Sequence, residues 1–474
     1  MMLRRVVFMC CFFKFMADVK AQPAFGIYHA SQIPQQTLLN PAFRIGASAA
    51  IGFPGLSGIG FQYYNSSFTL KQLLKCAETS GDSSTLNLNK VVQLFGNRNY
   101  LSVKAEQQWL FAAFRYATSQ WSFHVTDHAS LRFKYPKDLF RLLIDGNGGV
   151  NLGNTFNLKF SLNAIHYREY GIAYSREIKE HFIIGGRIKF LKGFTLLDAS
   201  RMKLNLNTAA NQFEWTATAN LNIHAASTGY SIINRNNNVR PINFFRNSNN
   251  PGLAADVGIL WQEHPRLTLS AALLDFGFIN WKTNAVNLRS NNPSASFRYK
   301  GLPIQTDDKQ LDHYIRKLKD SINQSLGLDT IRGSFSKAIG TQFLCGMQYV
   351  INSNISIQTL IYGDFFNGTI HPALHAGINW QPVYWLSIMA HNTAFNNIWL
   401  NPGLGISINA GRLLFYASSE HAYGLVAADQ SRSLSLKFGV NILWNKDKRS
   451  IKRIQDPELP FMQQKHEETK DWGR

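Results

Sequence analysis

Beyond its first 21 residues the 474-residue chain has no run of about 18 uncharged apolar residues, which excludes a helical membrane protein. Cysteine is scarce. Cys10 and Cys11 lie in the N-terminal segment, and Cys76 and Cys345 stand too far apart in sequence to suggest a disulfide framework. Cys345 falls on the apolar face of a candidate strand, where a lone cysteine acts as a small hydrophobe. Catalytic signatures are missing too: there is no His-Glu-x-x-His, Cys-x-x-Cys, Gly-x-Ser-x-Gly or phosphate-cradling glycine loop. No enzymatic activity and no cofactor or metal are therefore expected. Acidic residues number 29 against 49 Lys and Arg, a net charge of +20, yet the cations are dispersed and form no dense arm. That argues against nucleic acid and for lipid and lipopolysaccharide as the anionic surroundings.

What the chain does have is long two-faced strands. In Trp121–Tyr135, Trp121, Phe123, Val125, Ala129, Leu131, Phe133 and Tyr135 alternate with Ser122, His124, Thr126, His128, Ser130, Arg132 and Lys134. Alternate side chains of a strand face opposite ways, so one face is apolar except at Asp127 and the other is polar. A strand of this length, flanked by aromatics, suits a tilted crossing of a membrane. Asp127 on the lipid side would be costly, so a bulge turning it inward, or a lateral opening beside it, is expected.

The pattern repeats in pairs joined by short turns. Trp109–Ala117 pairs with Gln120–Tyr135, Tyr167–Ile178 with His181–Lys192, and Leu197–Thr208 with Phe213–Ala225. Leu253–Trp261 pairs with Leu267–Phe276, Ala338–Val350 with Ile355–Gly363, Ala373–Trp380 with Tyr384–His391, and Pro402–Asn409 with Arg412–Ser419. Ser431–Trp444 closes the series. Short turns alternate with long loops, the habit of bacterial outer-membrane barrels. The expected fold is all-β, an antiparallel transmembrane barrel whose strand count reads as 16 from these pairs, with 14 as the alternative.

Around the barrel, residues 1–21 read as a signal peptide, with Arg4 and Arg5, an apolar core from Val6 to Met16, and small residues before Gln22. Residues 22–55 read as a periplasmic lead-in or a plug, 56–444 as the barrel, and 445–474 as a charged periplasmic tail. Of the Gly-rich segments Arg44–Phe53 and Leu56–Phe68, one is expected in the wall and the other in the plug. A short helix is expected over Thr69–Lys75, and an amphipathic one over Asp308–Leu326 within a long loop.

Alternation places Arg115, His124, His128, Arg132, Arg187, Lys189 and Lys437 toward the lumen. His124 and His128 lie roughly 13 Å apart along a strand, too far to chelate one ion by themselves. The cationic bias would favour anionic solutes, unless Glu169, Glu177, Glu214 and Asp256 of the same faces neutralise it.

Several strings together resemble a Bacteroidota family of outer-membrane barrels classed as a domain of unknown function (number 5723). They are Leu39-Asn40-Pro41-Ala42-Phe43, Gly52-Phe53-Pro54-Gly55-Leu56-Ser57, Tyr135-Pro136-Lys137-Asp138-Leu139 with Gly146-Asn147-Gly148, and Glu169-Tyr170-Gly171 with Tyr174-Ser175-Arg176. Gly185-Gly186-Arg187-Ile188-Lys189-Phe190-Leu191-Lys192-Gly193 and Leu274-Asp275-Phe276-Gly277-Phe278-Ile279-Asn280-Trp281 complete the set. The family is distantly similar to fatty-acid-transporter-type barrels, which include a component of type IX secretion, and that likeness implies about 14 strands. The leading expectation is transport or binding of small or hydrophobic solutes at the outer membrane. The alternative is a scaffold for secretion or surface assembly, with the tail and the 308–326 helix docking a protein partner.

Overall fold

The computed structural model describes residues 25–446, apart from internal stretches of which 229–247 and 300–316 are the longest. The expected signal peptide and nearly all of the charged tail lie outside the described residues. Most of the 308–326 helix does too; Leu326 at its end packs against Ala219 and Phe297.

The wall is a closed antiparallel barrel of 14 strand positions. The first, β1, comes in two pieces, Ala47–Gly52 and Gly58–Asn65, each paired with the same two neighbours. β2 (Arg98–Tyr116), β3 (Ser119–Pro136), β4 (Ser161–Lys179) and β5 (Phe182–Ala199) follow. Next are β6 (Pro251–His264), β7 (Leu267–Trp281), β8 (Phe335–Ala338 and Thr341–Val350) and β9 (Ile355–Phe366). β10 (Thr369–Val383), β11 (Leu386–Phe395), β12 (Pro402–Ala410), β13 (Leu413–Ser419) and β14 (Ser433–Lys446) finish it. β14 pairs with β13 on one side and β1 on the other, which leaves no open edge.

The count is 14 rather than 16 because the expected hairpin of Leu197–Thr208 with Phe213–Ala225 does not add two strands to the wall. Lys203–Thr208 and Trp215–Asn220 join Thr155–Asn157 and Ser296–Tyr299 in a separate four-stranded sheet at the long-loop end. Asn222–Ser227, Val286–Ser290 and Leu328–Arg332 extend the wall sheet there. The outer face carries exposed apolar side chains, and Tyr116, Trp121, Trp261, Tyr349, Trp380 and Trp385 ring it near the short turns. Such a girdle marks a membrane interface.

Both Gly-rich segments belong to the wall, which therefore begins at Ala47 rather than at residue 56. Between them Phe53–Ser57 swings out at Pro54-Gly55, with Gly55 in a left-handed turn (φ 73°). The ladder is carried across this excursion: the Phe53 amide donates to Val440, the Gly55 amide to Trp109, and the Val440 amide to Leu56. The expected short helix forms at Leu70–Leu74, started by a Thr69–Gln72 capping box.

Asp127 stays on the outer face and in register, opposite Gln107 on β2 and Arg168 on β4. The expectation of an inward turn is not met, because the bulge lies on β2, at Trp109. There the Trp109 indole donates to Asp127 Oδ2 at 2.9 Å, and Arg168 donates to both carboxylate oxygens at 2.6 and 2.8 Å. The carboxylate is thus satisfied and covered without leaving its face.

Candidate functional site

The lumen is occupied by the chain's own N-terminal segment. Residues 25–46 enter as two 3-10 turns, Phe25–Ile27 and Pro34–Leu38, the second opened by a proline at a position that needs no amide donor. Phe25, Ile27, Tyr28, Ile33, Asn40 and Ala42 are all buried. An irregular backbone inside a membrane barrel must find partners for its polar groups in the wall.

It does. Gln35 and Asn441 of β14 exchange amide hydrogen bonds at 2.7 and 3.0 Å, and Gln35 also donates to the Ser57 carbonyl at 2.8 Å. Gln120 of β3 accepts from the Ile45 amide and donates to the Phe43 carbonyl, both at 2.9 Å. Asn40 donates to the carbonyls of Ile259 and Ala271 at 3.3 and 3.2 Å, while its Oδ1 accepts from the Ala42 amide at 2.9 Å. Arg187 of β5 donates to the carbonyls of Leu38 and Thr37 at 3.1 and 2.5 Å.

Glycines in the wall make room for this contact. A Cβ on Gly185 would lie 2.3 Å from the Pro41 carbonyl carbon, and one on Gly258 only 2.0 Å from Asn40 Oδ1. The strings around Asn40-Pro41 and Gly185-Gly186-Arg187 are therefore two sides of a single contact.

Beside it sits a buried ionic cluster. Lys189 Nζ lies 2.5 Å from Asp275, 3.0 Å from Asp256 and 3.4 Å from Glu169, and Arg187 lies 2.8 Å from Asp256. His124 and His128 approach opposite oxygens of Glu169, at 2.6 and 3.5 Å. Asp275 reaches the cluster by a bulge: between Ala255/Phe276 and Val257/Leu273 β7 holds one residue more than β6, and Asp275 takes a left-handed backbone, φ 60°. Of the other residues assigned to the lumen, Arg132 pairs with Asp364 at 3.6 Å and Lys437 with Glu106 at 3.0 Å. Arg115 sits opposite Gln120, on the plug-facing side of the wall. Arg132, Arg187, Lys189 and Lys437 are thus matched by carboxylates within the lumen, which offsets the cationic bias.

The third component is apolar. Phe25, Tyr28 and Phe43 of the plug pack with Leu344, Leu360 and Phe395 of the wall into one buried cluster, with Phe25–Tyr362 and Tyr28–Phe43 rings edge-on at 4.8 and 4.9 Å. Sequence reasoning missed this cluster and the Asp275 turn, since neither a bulge nor cross-barrel proximity leaves a mark on local alternation.

A closed 14-stranded barrel whose lumen is filled by its own N-terminal segment is a plugged barrel of the outer-membrane type. The chain belongs to the Family of unknown function (DUF5723), whose model matches residues 41–420. Among solved structures it is similar to the toluene transporter TbuX of Ralstonia pickettii, at 9% identity and TM-score 0.41 over 87% of this chain and 95% of that one. It is also similar to a Pseudomonas aeruginosa FadL homologue, at 10% identity and TM-score 0.43 over 89% and 98%. The translocator domain of the Neisseria meningitidis autotransporter NalP matches at 7% identity and TM-score 0.31 over 91% and 99%. No curated protein matches the chain.

Proposed function

We propose that the protein is a non-enzymatic outer-membrane channel for small hydrophobic solutes, closed at rest by residues 25–46. The observation that carries this reading is the apolar contact where Phe25, Tyr28 and Phe43 of the plug are packed against Leu344, Leu360 and Phe395 of the wall. Arg132, Arg187, Lys189 and Lys437 are matched by carboxylates of the lumen, so a plug displacement uncovers this apolar surface beside groups that are already paired. An apolar surface that the plug leaves behind binds apolar solutes in preference to water. The surrounding wall glycines let the plug backbone seat closely.

Uptake of a hydrophobic fluorophore into vesicles with a lipopolysaccharide outer leaflet tests it. Intact protein accelerates uptake, and Leu344→Gln or Leu360→Gln, each a polar replacement inside the apolar cluster, slows it. Folding is checked by heat-dependent gel mobility. Uptake at the protein-free rate with correctly folded protein overturns the proposal.

A further inference from the structure

At the long-loop end of the lumen, His375 of β10, His391 of β11 and Glu420, one residue beyond β13, bring one ligand atom each to within 4.8 Å of one another. All three side chains are buried. His375 Nδ1 lies 2.9 Å from Thr393 Oγ1, which leaves its Nε2 as the free ring nitrogen, and that nitrogen has no hydrogen-bond partner. Neither ring nitrogen of His391 has one, although Nε2 lies 3.2 Å from Glu420 Oε2. Oε2 is likewise without an aligned donor, while Oε1 accepts the Gly26 amide of the plug at 2.9 Å.

Buried polar atoms are nearly always satisfied, and leaving one unmet costs free energy. Here three unsatisfied atoms from three separate segments converge on one place. We propose that His375, His391 and Glu420 form a site for a divalent transition metal ion of the zinc class. Two imidazoles and one carboxylate match the zinc donor set, with a fourth position left for water, and they do not match the all-oxygen preference of calcium or magnesium. Bonds of about 2 Å at tetrahedral angles set ligand atoms roughly 3.3 Å apart, which side-chain rotations reach from the present spacing. Thr393 holds the His375 tautomer, as second partners of metal-bound histidines do. Because Glu420 spends its other oxygen on Gly26, the ion clamps the plug's outer end to β10 and β11. It is loaded as the plug seats.

Untagged protein folded into micelles with zinc, then dialysed against metal-free buffer, is expected to retain one zinc per chain by elemental analysis. Cobalt in its place is expected to give the intense visible bands of four-coordinate Co(II). His375→Gln and His391→Gln reduce retained zinc to background, whereas His264→Gln, at an exposed turn, leaves it unchanged. Zinc at background in the wild type, or equal zinc in the wild type and the folded His391→Gln variant, overturns the site. Should the variants fail to fold, absence of four-coordinate cobalt bands in folded wild type does the same.

Discussion

Arg187 Nη1 donates to the Leu38 carbonyl at 3.1 Å, joining the barrel wall to the plug. The same nitrogen lies 2.8 Å from Asp256 Oδ2, so one guanidinium serves both the ionic cluster and the plug backbone. Arg187→Met removes the bridge and leaves Asp256 with Lys189 and the Asp275 amide. Breaking a buried pair costs about 3–5 kcal/mol, and the remaining lysine holds the loss to the lower end of that range. The expected signature is faster proteolysis within residues 25–46 together with increased ion conductance. Unchanged protection of the plug would show that Arg187 does not retain it.

Gly185→Ala is expected to loosen the plug by a steric route. Its new methyl would sit 2.3 Å from the Pro41 carbonyl carbon, a distance that only movement of the plug or the wall relieves. Gly148→Ala, whose Cβ meets nothing within 4 Å, is the control. Plug proteolysis should rise in the first variant and stay at the wild-type rate in the second. Equal rates in both contradict the close seating of Asn40-Pro41.

The outer-face pair makes a separate claim. Arg168→Leu leaves the Asp127 carboxylate with only the Trp109 indole and is expected to destabilise the barrel by about 3 kcal/mol, whereas Asp127→Leu/Arg168→Leu together should be near neutral or stabilising. Denaturant unfolding in micelles measures both. A double variant as unstable as the single one would mean that the pair is needed in itself.

How far these features could be read from the chain varies with their physical origin. Trp121–Tyr135 was legible because alternation over a long strand records burial on one face, and it appears as Ser119–Pro136. Trp215–Asn220 alternates as well, yet belongs to the separate sheet, since alternation tells that a strand has two faces and not which sheet holds it. The bulge expected at Asp127 turns a carboxylate inward at Asp275 instead. Nothing in Leu274-Asp275-Phe276 marks the extra residue, which exists only relative to β6. The meeting of His375, His391 and Glu420 depends on cross-strand register and on a turn after β13, so local pattern is silent about it.

A pH effect follows from His29 in the plug. Burial, with His375 nearby, pushes its pKa down to about 3, so the folded form keeps it neutral while an unfolded or released plug protonates it near 6.5. Its contribution is complete above pH 6.5 and is lost as pH falls from 6.5 toward 3, by on the order of 2–3 kcal/mol at pH 4.5. Plug proteolysis should therefore accelerate between pH 7.5 and 4.5, and less so in His29→Asn, a residue that tolerates the left-handed backbone found there (φ 58°). Identical pH profiles for the two proteins contradict this role.

The most direct test is a paired uptake measurement in lipopolysaccharide-bearing vesicles, following a hydrophobic fluorophore and a small inorganic ion across the same membranes. Intact protein is expected to accelerate the fluorophore and leave the ion at the protein-free rate, because the plug meets the wall through an apolar cluster and closes the water path. Free passage of the ion through intact protein, or no acceleration of the fluorophore, would contradict a plugged channel for hydrophobic solutes.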